Sequence, residues 1–177
     1  NNTPGLSSSK VLRLYEDRQG YLWIATEDGG IARAKDGEVT RVQLGEPAAS
    51  GDPLMAICED PSGAVLLYTD GGALARYRDG KVDAVWPVGA GLRSTCRALI
   101  AEASGRLWVG TDTNLWALNP IPVVTEDVRP IRLNYLLASK HGGYWRLANS
   151  QIQKCRENYV EKDFGAYPWT NTLPIVA

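Results

Sequence analysis

The sequence predicts an all-β fold, a β-propeller-like array of about four four-stranded antiparallel blades, and three observations lead to this prediction. One phrase recurs about every 42 residues, at 16–26, 59–69 and 102–111. Each repeat divides into strand-sized runs rich in β-branched, aromatic and aliphatic residues. Asp-Gly pairs, as at Asp36-Gly37, separate those runs and favour tight hairpins. Strand repeats of roughly 40 to 50 residues are typical of propellers, because one blade cannot cover its own faces.

The first two repeats each contain four predicted strands. Asp17 and Asp60 stand three positions before Gly20 and Gly63, which predicts a turn between the first and second strand of each repeat. We expect the strands of the first repeat at 11–15, 21–25, 31–34 and 39–42, and those of the second at 54–58, 65–68, 74–77 and 82–86.

The third repeat is less regular. Three strands are predicted at 96–101, 107–110 and 115–118. The fourth is uncertain, because Pro120 and Pro122 interrupt the best run, 121–124, and proline is confined to strand edges.

A weaker fourth copy surrounds Gly142 and Trp145, and residues 171–177 resemble 52–58, the opening of the second repeat. We therefore expect a single β-propeller segment over 1–177 that is a fragment or an incomplete propeller. Its blades are predicted at approximately 11–44, 54–87, 96–124 and 133–163, with 171–177 as the start of a fifth blade.

A tryptophan recurs on the second strand of three repeats. Trp23, Trp108 and Trp145 occupy the same position, where the second repeat has Leu66. A platform for stacking sugars is one interpretation. Packing between neighbouring blades is the interpretation we favour, because a large flat ring fills the space between stacked sheets.

Composition excludes several classes of protein. The 19 basic and 20 acidic side chains give a net charge of −1 with no basic stripe, which argues against a nucleic-acid partner. No run approaches the ~20 apolar residues of a membrane span, and the chain as given is expected to be soluble. Cys58, Cys96 and Cys155 are scattered, so we expect core packing rather than a zinc site or a disulfide framework.

The repeated phrase resembles the two-component regulator propeller repeat. The resemblance rests on two acidic residues, a glycine and Leu-Trp-Ile within 16–26, followed by Asp-Gly-Gly and an arginine at 28–33 and 70–76. Three units match well over most of 11–118, and the fourth matches loosely. The double glycine is missing after Asp112 and after Asn149. The resemblance implies a propeller outside the cytoplasmic membrane of a bacterium, attached to a histidine kinase, hybrid regulator or cyclase, in a family with several oligosaccharide sensors.

One face of the predicted propeller contains two sets of polar loops. The loops between blades and the loops between second and third strands emerge on the same face, which with the central channel is the usual binding surface. Arg93 would pair with an anionic or sugar group, and Trp169 would stack on an apolar ring face. The alternative is that these residues serve only their own turns. The candidate ligand-binding residues are Ser8, Ser9, Asp52, Arg93, Thr95, Trp169 and Asn171.

Neither a metal site nor a catalytic group is predicted. Asp28, Asp70 and Asp112 could form an acidic ring for a cation such as calcium, but turn capping is favoured because each precedes a glycine or polar turn residue. The only histidine, His141, belongs to a turn on the opposite face from the candidate site. No cofactor is expected.

The leading hypothesis is a non-enzymatic ligand-sensing or recognition module of a bacterial signal-transduction protein, in its periplasmic or extracellular domain. Any kinase or cyclase activity would lie outside this chain. The expected partners are a carbohydrate or other small molecule, and further blades or another copy of the chain. Two alternatives stay open: a propeller lyase resembling streptogramin lyases, whose repeats also contain a Gly-x-Leu/Ile-Trp phrase, and a structural scaffold for protein interactions.

Overall fold

The chain folds into antiparallel strands throughout the part that the structure describes. The structure, a computed structural model, describes residues 5–45, 48, 51–87, 96–111, 114–120, 123–130, 133–157 and 159–168. Within these ranges there are sixteen strands and no helix, and hence no helix that could cross a membrane.

The sixteen strands form four sheets of four, which we call blades 1 to 4. In every sheet the strands are ordered as in the sequence and each pairs antiparallel with the next. The predicted all-β array of four-stranded antiparallel blades is therefore confirmed. Blade 1 contains β1 (Val11–Glu16), β2 (Leu22–Thr26), β3 (Ile31–Lys35) and β4 (Glu38–Val42); blade 2 contains β5 (Leu54–Glu59), β6 (Val65–Thr69), β7 (Ala73–Arg78) and β8 (Lys81–Pro87). Blade 3 contains β9 (Cys96–Ala101), β10 (Leu107–Thr111), β11 (Asn114–Pro120) and β12 (Val123–Pro130); blade 4 contains β13 (Leu133–Ala138), β14 (Tyr144–Ala148), β15 (Gln151–Arg156) and β16 (Tyr159–Ala166).

The fourth strand of blade 3 begins two residues later than the run at 121–124 and extends to Pro130. β11 ends at Pro120, and β12 begins after Pro122, at Val123. Pro120 thus lies at the end of a strand rather than in its interior, where proline would interrupt the ladder. The predicted fifth blade at 171–177 lies outside the described residues.

The turn between the first and second strand is built identically in all four blades. In blade 1 the amide of Asp17 donates to the carbonyl of Tyr21 at 3.0 Å, and the amide of Gly20 donates to the carbonyl of Asp17 at 2.9 Å. Gly20 has a φ of 78°, a conformation that favours glycine. The same two hydrogen bonds recur in the turns that begin at Asp60, Glu102 and Ser139. The recurrent glycine is therefore required by the turn.

The chain divides into two compact units, residues 1–95 and 96–177, each with its own core. In the first unit Trp23 is 2% exposed, and its ring lies edge-on to Tyr77 of blade 2 at 4.9 Å between centroids. In the second unit Trp108 is 0% exposed and lies 4.8 Å from the ring of Tyr144 in blade 4. Burial of apolar surface between successive blades is the main stabilising contribution to both units.

The prediction that the recurrent tryptophan packs between blades is confirmed for Trp23 and Trp108. Leu66, at the same position in blade 2, is also buried. Trp145 differs: it is partly exposed and lies 5.4 Å from Phe164 of its own blade. The three cysteines are buried and form no disulfide, as expected for core packing.

Candidate functional site

The turn between β2 and β3 is the first component of a cavity at one end of blade 1. Thr26, buried at the end of β2, donates from its amide to the carbonyl of Gly30 at 2.9 Å, and its Oγ1 lies 3.1 Å from the same carbonyl oxygen. Gly29 has a φ of 80°, and a Cβ there would collide with the backbone of Gly51. A Cβ on Gly30 would collide with the hydroxyl of Ser7. The double glycine thus admits two other segments of chain against this turn.

One of these segments is the stretch 5–7, which precedes β1. Ser7 donates from Oγ to Oδ1 of Asp28 at 2.9 Å, and its Oγ lies 2.8 Å from Oγ1 of Thr26. Arg41 of β4 holds the same stretch, donating from Nε to the carbonyl of Gly5 at 3.1 Å and from Nη2 to that of Leu6 at 3.2 Å. Side chains from two strands therefore fix this segment against blade 1.

The other segment belongs to the connection from β4 to β5, of which the structure describes 43–45, 48 and 51–53. Together with the β2–β3 turn and residues 5–7, it encloses a cavity of about 570 Å³, which we call the loop-end cavity. Its volume falls within the range of small-molecule sites in proteins. The polar lining side chains are Ser7, Thr26, Asp28, Arg41, Gln43 and Asp52, and the apolar ones are Leu6, Ile24, Ile31, Ala32, Val42, Leu44 and Ala48.

The Asp28 carboxylate accepts several hydrogen bonds at the edge of this cavity. Its Oδ1 accepts from the hydroxyl of Thr26 at 2.6 Å, from that of Ser7 at 2.9 Å and from the amide of Gly30 at 3.4 Å. These bonds favour the ionised form, so the hydrogen bond from Thr26, followed by that from Ser7, lowers the pKa of Asp28 below its ordinary value. The lining of the cavity therefore combines an ionised carboxylate with apolar side chains.

The structure brings one of the predicted ligand-binding residues to the loop-end cavity. Asp52 lines it, and the Asp52 carboxylate also lies against Gly71 in the β6–β7 turn. Ser8 and Ser9 are not among the lining residues, and Oγ of Ser8 accepts a hydrogen bond from the amide of Lys10 at 3.2 Å. The other candidates lie outside the described residues: Arg93, Thr95, Trp169 and Asn171.

Sequence reasoning missed Arg41 and Leu44, which it assigned only to a strand and to blade 1. No local pattern identifies an arginine that reaches backbone carbonyls about 35 residues earlier. The Asp28-Gly29-Gly30 motif did contain a usable signal, because two successive glycines at a turn indicate close approach of other backbone.

The weak metal candidates are located in separate turns. Asp28 caps the β2–β3 turn, Asp70 is exposed in the β6–β7 turn, and Asp112 lies outside the described residues. Among the residues that the structure describes, no group of three His, Cys, Asp or Glu side chains could hold a metal ion. His141 is exposed in the β13–β14 turn, where its amide donates to Oγ of Ser139 at 3.3 Å.

Comparison with solved structures identifies the architecture as that of a β-propeller. Virginiamycin B lyase from Staphylococcus aureus, solved with quinupristin, superimposes with a TM-score of 0.73 at 17% identity, over 96% of this chain and 59% of the lyase. The extracellular domain of a hybrid two-component system from B. thetaiotaomicron superimposes with a TM-score of 0.71 at 17% identity, over 97% of this chain and 26% of that domain. The chain thus spans less than two thirds of these structures.

A sequence model of the two-component regulator propeller matches residues 5–28. The resemblance found in the repeats is thereby confirmed, and the chain is a β-propeller segment with a two-component regulator propeller repeat. A sequence comparison with curated proteins found no match.

Proposed function

We propose that the chain is a ligand-recognition module of an extracytoplasmic bacterial signalling protein and that the loop-end cavity receives its ligand. The observation that supports this most directly is the cavity itself, at the end of the blade where propellers usually bind ligands. The segment that matches the family model, residues 5–28, contributes Ser7, Thr26 and Asp28 to its lining.

A neutral carbohydrate or a similar small polar molecule fits this lining. Sugars have hydroxyl groups on their rim and C–H groups on their ring faces. The cavity has hydrogen-bonding groups on Ser7, Asp28 and Asp52, and an apolar wall that includes Ile24 and Leu44. A site that combines an apolar wall with a few convergent polar groups provides both affinity and orientation.

In this proposal the chain binds its ligand without converting it chemically. Chemistry by general acid and base requires a positioned proton donor and acceptor at the bound ligand. Asp28 is ionised and engaged by hydroxyl and amide donors, which suits binding to ligand hydroxyl groups better than proton transfer. The extracellular two-component domains of the same fold support a location outside the cytoplasmic membrane.

Saturation-transfer NMR with a panel of neutral disaccharides tests the binding site. We expect at least one disaccharide to bind the 177-residue chain, and the Ala48→Phe variant, in which the new ring fills the cavity, to lose that binding. Ala103→Phe, in an exposed turn of blade 3, is the matched control and should bind as the unaltered chain does. Equal binding by Ala48→Phe would refute the location, and no binding by the panel would refute the ligand class.

The signalling role has a separate test in the gene sequence on both sides of this segment. We expect a membrane-spanning helix followed by kinase or cyclase motifs. A signal peptide with no signalling domain after the propeller would contradict the proposal and favour a secreted enzyme or binding protein.

A lyase is the second candidate, because streptogramin-type lyases share the fold over nearly the whole chain. Incubation with quinupristin followed by mass spectrometry tests it directly. Opening of the ring by the purified chain would establish the lyase and overturn the non-enzymatic proposal.

A further inference from the structure

A second, smaller cavity lies at the opposite end of the first unit, where the turns of blades 1 and 2 meet. Its volume is about 140 Å³, several times the ~30 Å³ that a water molecule occupies in the liquid. Two arginines, Arg33 of β3 and Arg78 of β7, line it, and we call it the two-arginine cavity. The other lining side chains include Asp17, Gln19, Ser62, Tyr77 and Asp79.

The guanidinium of Arg33 is held in place by aromatic rings. It lies 4.4 Å from the centroid of Tyr21 and 5.0 Å from that of Tyr77. Its Nε is buried and has no hydrogen-bond acceptor within the described part of the chain. Cation–π contacts orient a guanidinium but leave its in-plane N–H groups available to an oxygen acceptor.

Arg78, which also lines the cavity, likewise has an Nε–H group without an acceptor in the described part of the chain. Its Nη2 donates to Oγ of Ser62 at 2.8 Å, which fixes the side chain. Its Nε is buried and, among the described residues, has no acceptor. Two positioned guanidinium groups with buried, unpaired Nε–H donors therefore border one small cavity.

The neighbouring blade shows what normally satisfies this position. Arg76 of β7 aligns with Arg33 of β3, because Arg76 is opposite Leu66 and Arg33 is opposite Trp23. Arg76 donates from Nε and Nη2 to both carboxylate oxygens of Asp83, at 2.8 and 3.0 Å. The residue opposite Arg33 on the outer strand is Thr40, which has no carboxylate.

Two carboxylates in the described part of the chain line the cavity, and neither accepts a hydrogen bond from Nε of Arg33. Asp17 accepts from the amides of Gln19 and Tyr21 through Oδ1, and from the indole N–H of Trp23 through Oδ2 at 2.8 Å. Asp79 is exposed in the β7–β8 hairpin with a φ of 50°. Among the described residues, neither carboxylate therefore serves as the acceptor for Nε of Arg33.

We propose that the two-arginine cavity binds a small oxyanion, either an inorganic sulfate or phosphate or the carboxylate of a larger molecule. The oxyanion accepts hydrogen bonds from the guanidinium groups of Arg33 and Arg78, in the role that Asp83 has for Arg76. Guanidinium groups bind such anions through paired, charge-assisted hydrogen bonds. This site is separate from the loop-end cavity, and its test does not depend on the proposed function.

NMR spectra of the arginine Nε–Hε groups provide the direct test. Sodium sulfate, sodium phosphate and sodium acetate are titrated into the 177-residue chain, with sodium chloride at matched ionic strength as the blank. We expect saturable shifts of the Arg33 and Arg78 signals, which the Arg33→Met and Arg78→Met variants assign. Acetate binding as tight as sulfate binding points to a carboxylate ligand, and a preference for sulfate or phosphate points to a tetrahedral anion; both support the site.

Substitution at Thr40 distinguishes binding of an oxyanion at Arg33 from a general attraction of anions to basic side chains. Thr40→Asp places a carboxylate opposite Arg33, and we expect it to weaken anion binding at least about tenfold, as does Arg33→Met. The isosteric neutral variant Thr40→Asn should keep the affinity within about twofold. Arg156→Met, a change on the surface of blade 4, should also leave it unchanged.

Two results would overturn the proposal. One is the absence of saturable shifts with all three anions. The other is unchanged anion affinity in Thr40→Asp or Arg33→Met, with circular dichroism showing that the variant is folded.

Discussion

The buried tryptophan of blade 1 has a hydrogen-bond partner that its counterpart in blade 3 lacks. Asp17 accepts from Nε1 of Trp23 at 2.8 Å and from two turn amides. Glu102 replaces this aspartate in blade 3, and there Nε1 of Trp108 and Oε1 of Glu102 are both buried without a partner among the described residues. The Glu102 side chain is one methylene longer than that of Asp17. The Asp17 carboxylate accepts hydrogen bonds from the turn amides and the indole, whereas Oε1 of Glu102 has no partner among the described residues.

Alanine at these two acidic positions should therefore have unequal effects. Asp17→Ala leaves the indole N–H and two amides without their acceptor, and we expect it to lower the free energy of unfolding by about 2 to 3 kcal/mol. Glu102→Ala removes a buried carboxylate that accepts a hydrogen bond of 3.3 Å from Oγ of Ser104, and should cost less than about 1 kcal/mol. Urea denaturation measures both. Equal losses would contradict the role assigned to Asp17.

The ionisation of Tyr15 makes the free energy of unfolding depend on pH in the alkaline range. Its burial, reinforced by the nearby Glu59 carboxylate, raises the pKa of Tyr15 to about 12, above the ordinary value of 10.0. Because the folded chain holds this proton more tightly than the unfolded chain, the stabilisation is complete below pH 10 and is lost between about pH 10 and 12. In Tyr15→Phe we expect a smaller fall in unfolding free energy over that interval. Urea denaturation at pH 9, 10 and 11 measures the fall, and an unchanged fall would contradict the assignment.

The second strands of blades 1 and 2 share an apolar pattern, but side chains at the same repeat position differ in their exposure to solvent. Val65 of β6 is 3% exposed and packs in the core between blades 1 and 2. Leu22 of β2, at the same repeat position, is 38% exposed, and Leu14 of β1, which lies diagonally across from it opposite Ile24, is 62% exposed. The apolar pattern of the repeat is therefore kept on a face of blade 1 that is only partly covered.

Two leucines on equivalent strands allow this difference to be measured. Leu67→Ala in β6, where the side chain is 0% exposed, should lower the free energy of unfolding by about 2 to 5 kcal/mol, because it removes buried methyl groups and leaves a cavity. Leu22→Ala in β2 should cost less than about 1 kcal/mol, since the side chain is already in contact with solvent. Urea denaturation of the monomer gives both values. A loss of more than about 2 kcal/mol for Leu22→Ala would show that another surface covers this face.

The repeats allowed the blades to be predicted, because the determinants of each strand and turn are local. Asp17 and Gly20 indicate their turn in the sequence, and the structure contains that turn. The fourth strand of blade 3 was predicted only uncertainly, at 121–124, since Pro122 obscured a strand that begins one residue later and ends at Pro130. The loop-end cavity could be predicted only as a face, because contacts such as that of Arg41 with Gly5 join segments far apart in sequence.

Each compact unit has a core of its own. The core of residues 1–95 contains Val65, Leu67 and Tyr77, whereas that of residues 96–177 contains Ile100 and Leu115. Side chains that share no partner contribute independently to stability, and side chains in contact do not.

Two double-mutant cycles with one shared substitution test this independence. Val65→Ala combined with Tyr77→Leu alters two residues that pair across β6 and β7, and we expect a coupling energy of about 0.5 to 1 kcal/mol. Val65→Ala combined with Ile100→Val alters one residue in each core, and the two losses should add within about 0.5 kcal/mol. Urea denaturation followed by both fluorescence and circular dichroism gives the energies and checks that the transitions coincide. A larger coupling in the second cycle than in the first would show that the two cores act as one, because only shared packing could transmit the loss from Val65 to Ile100.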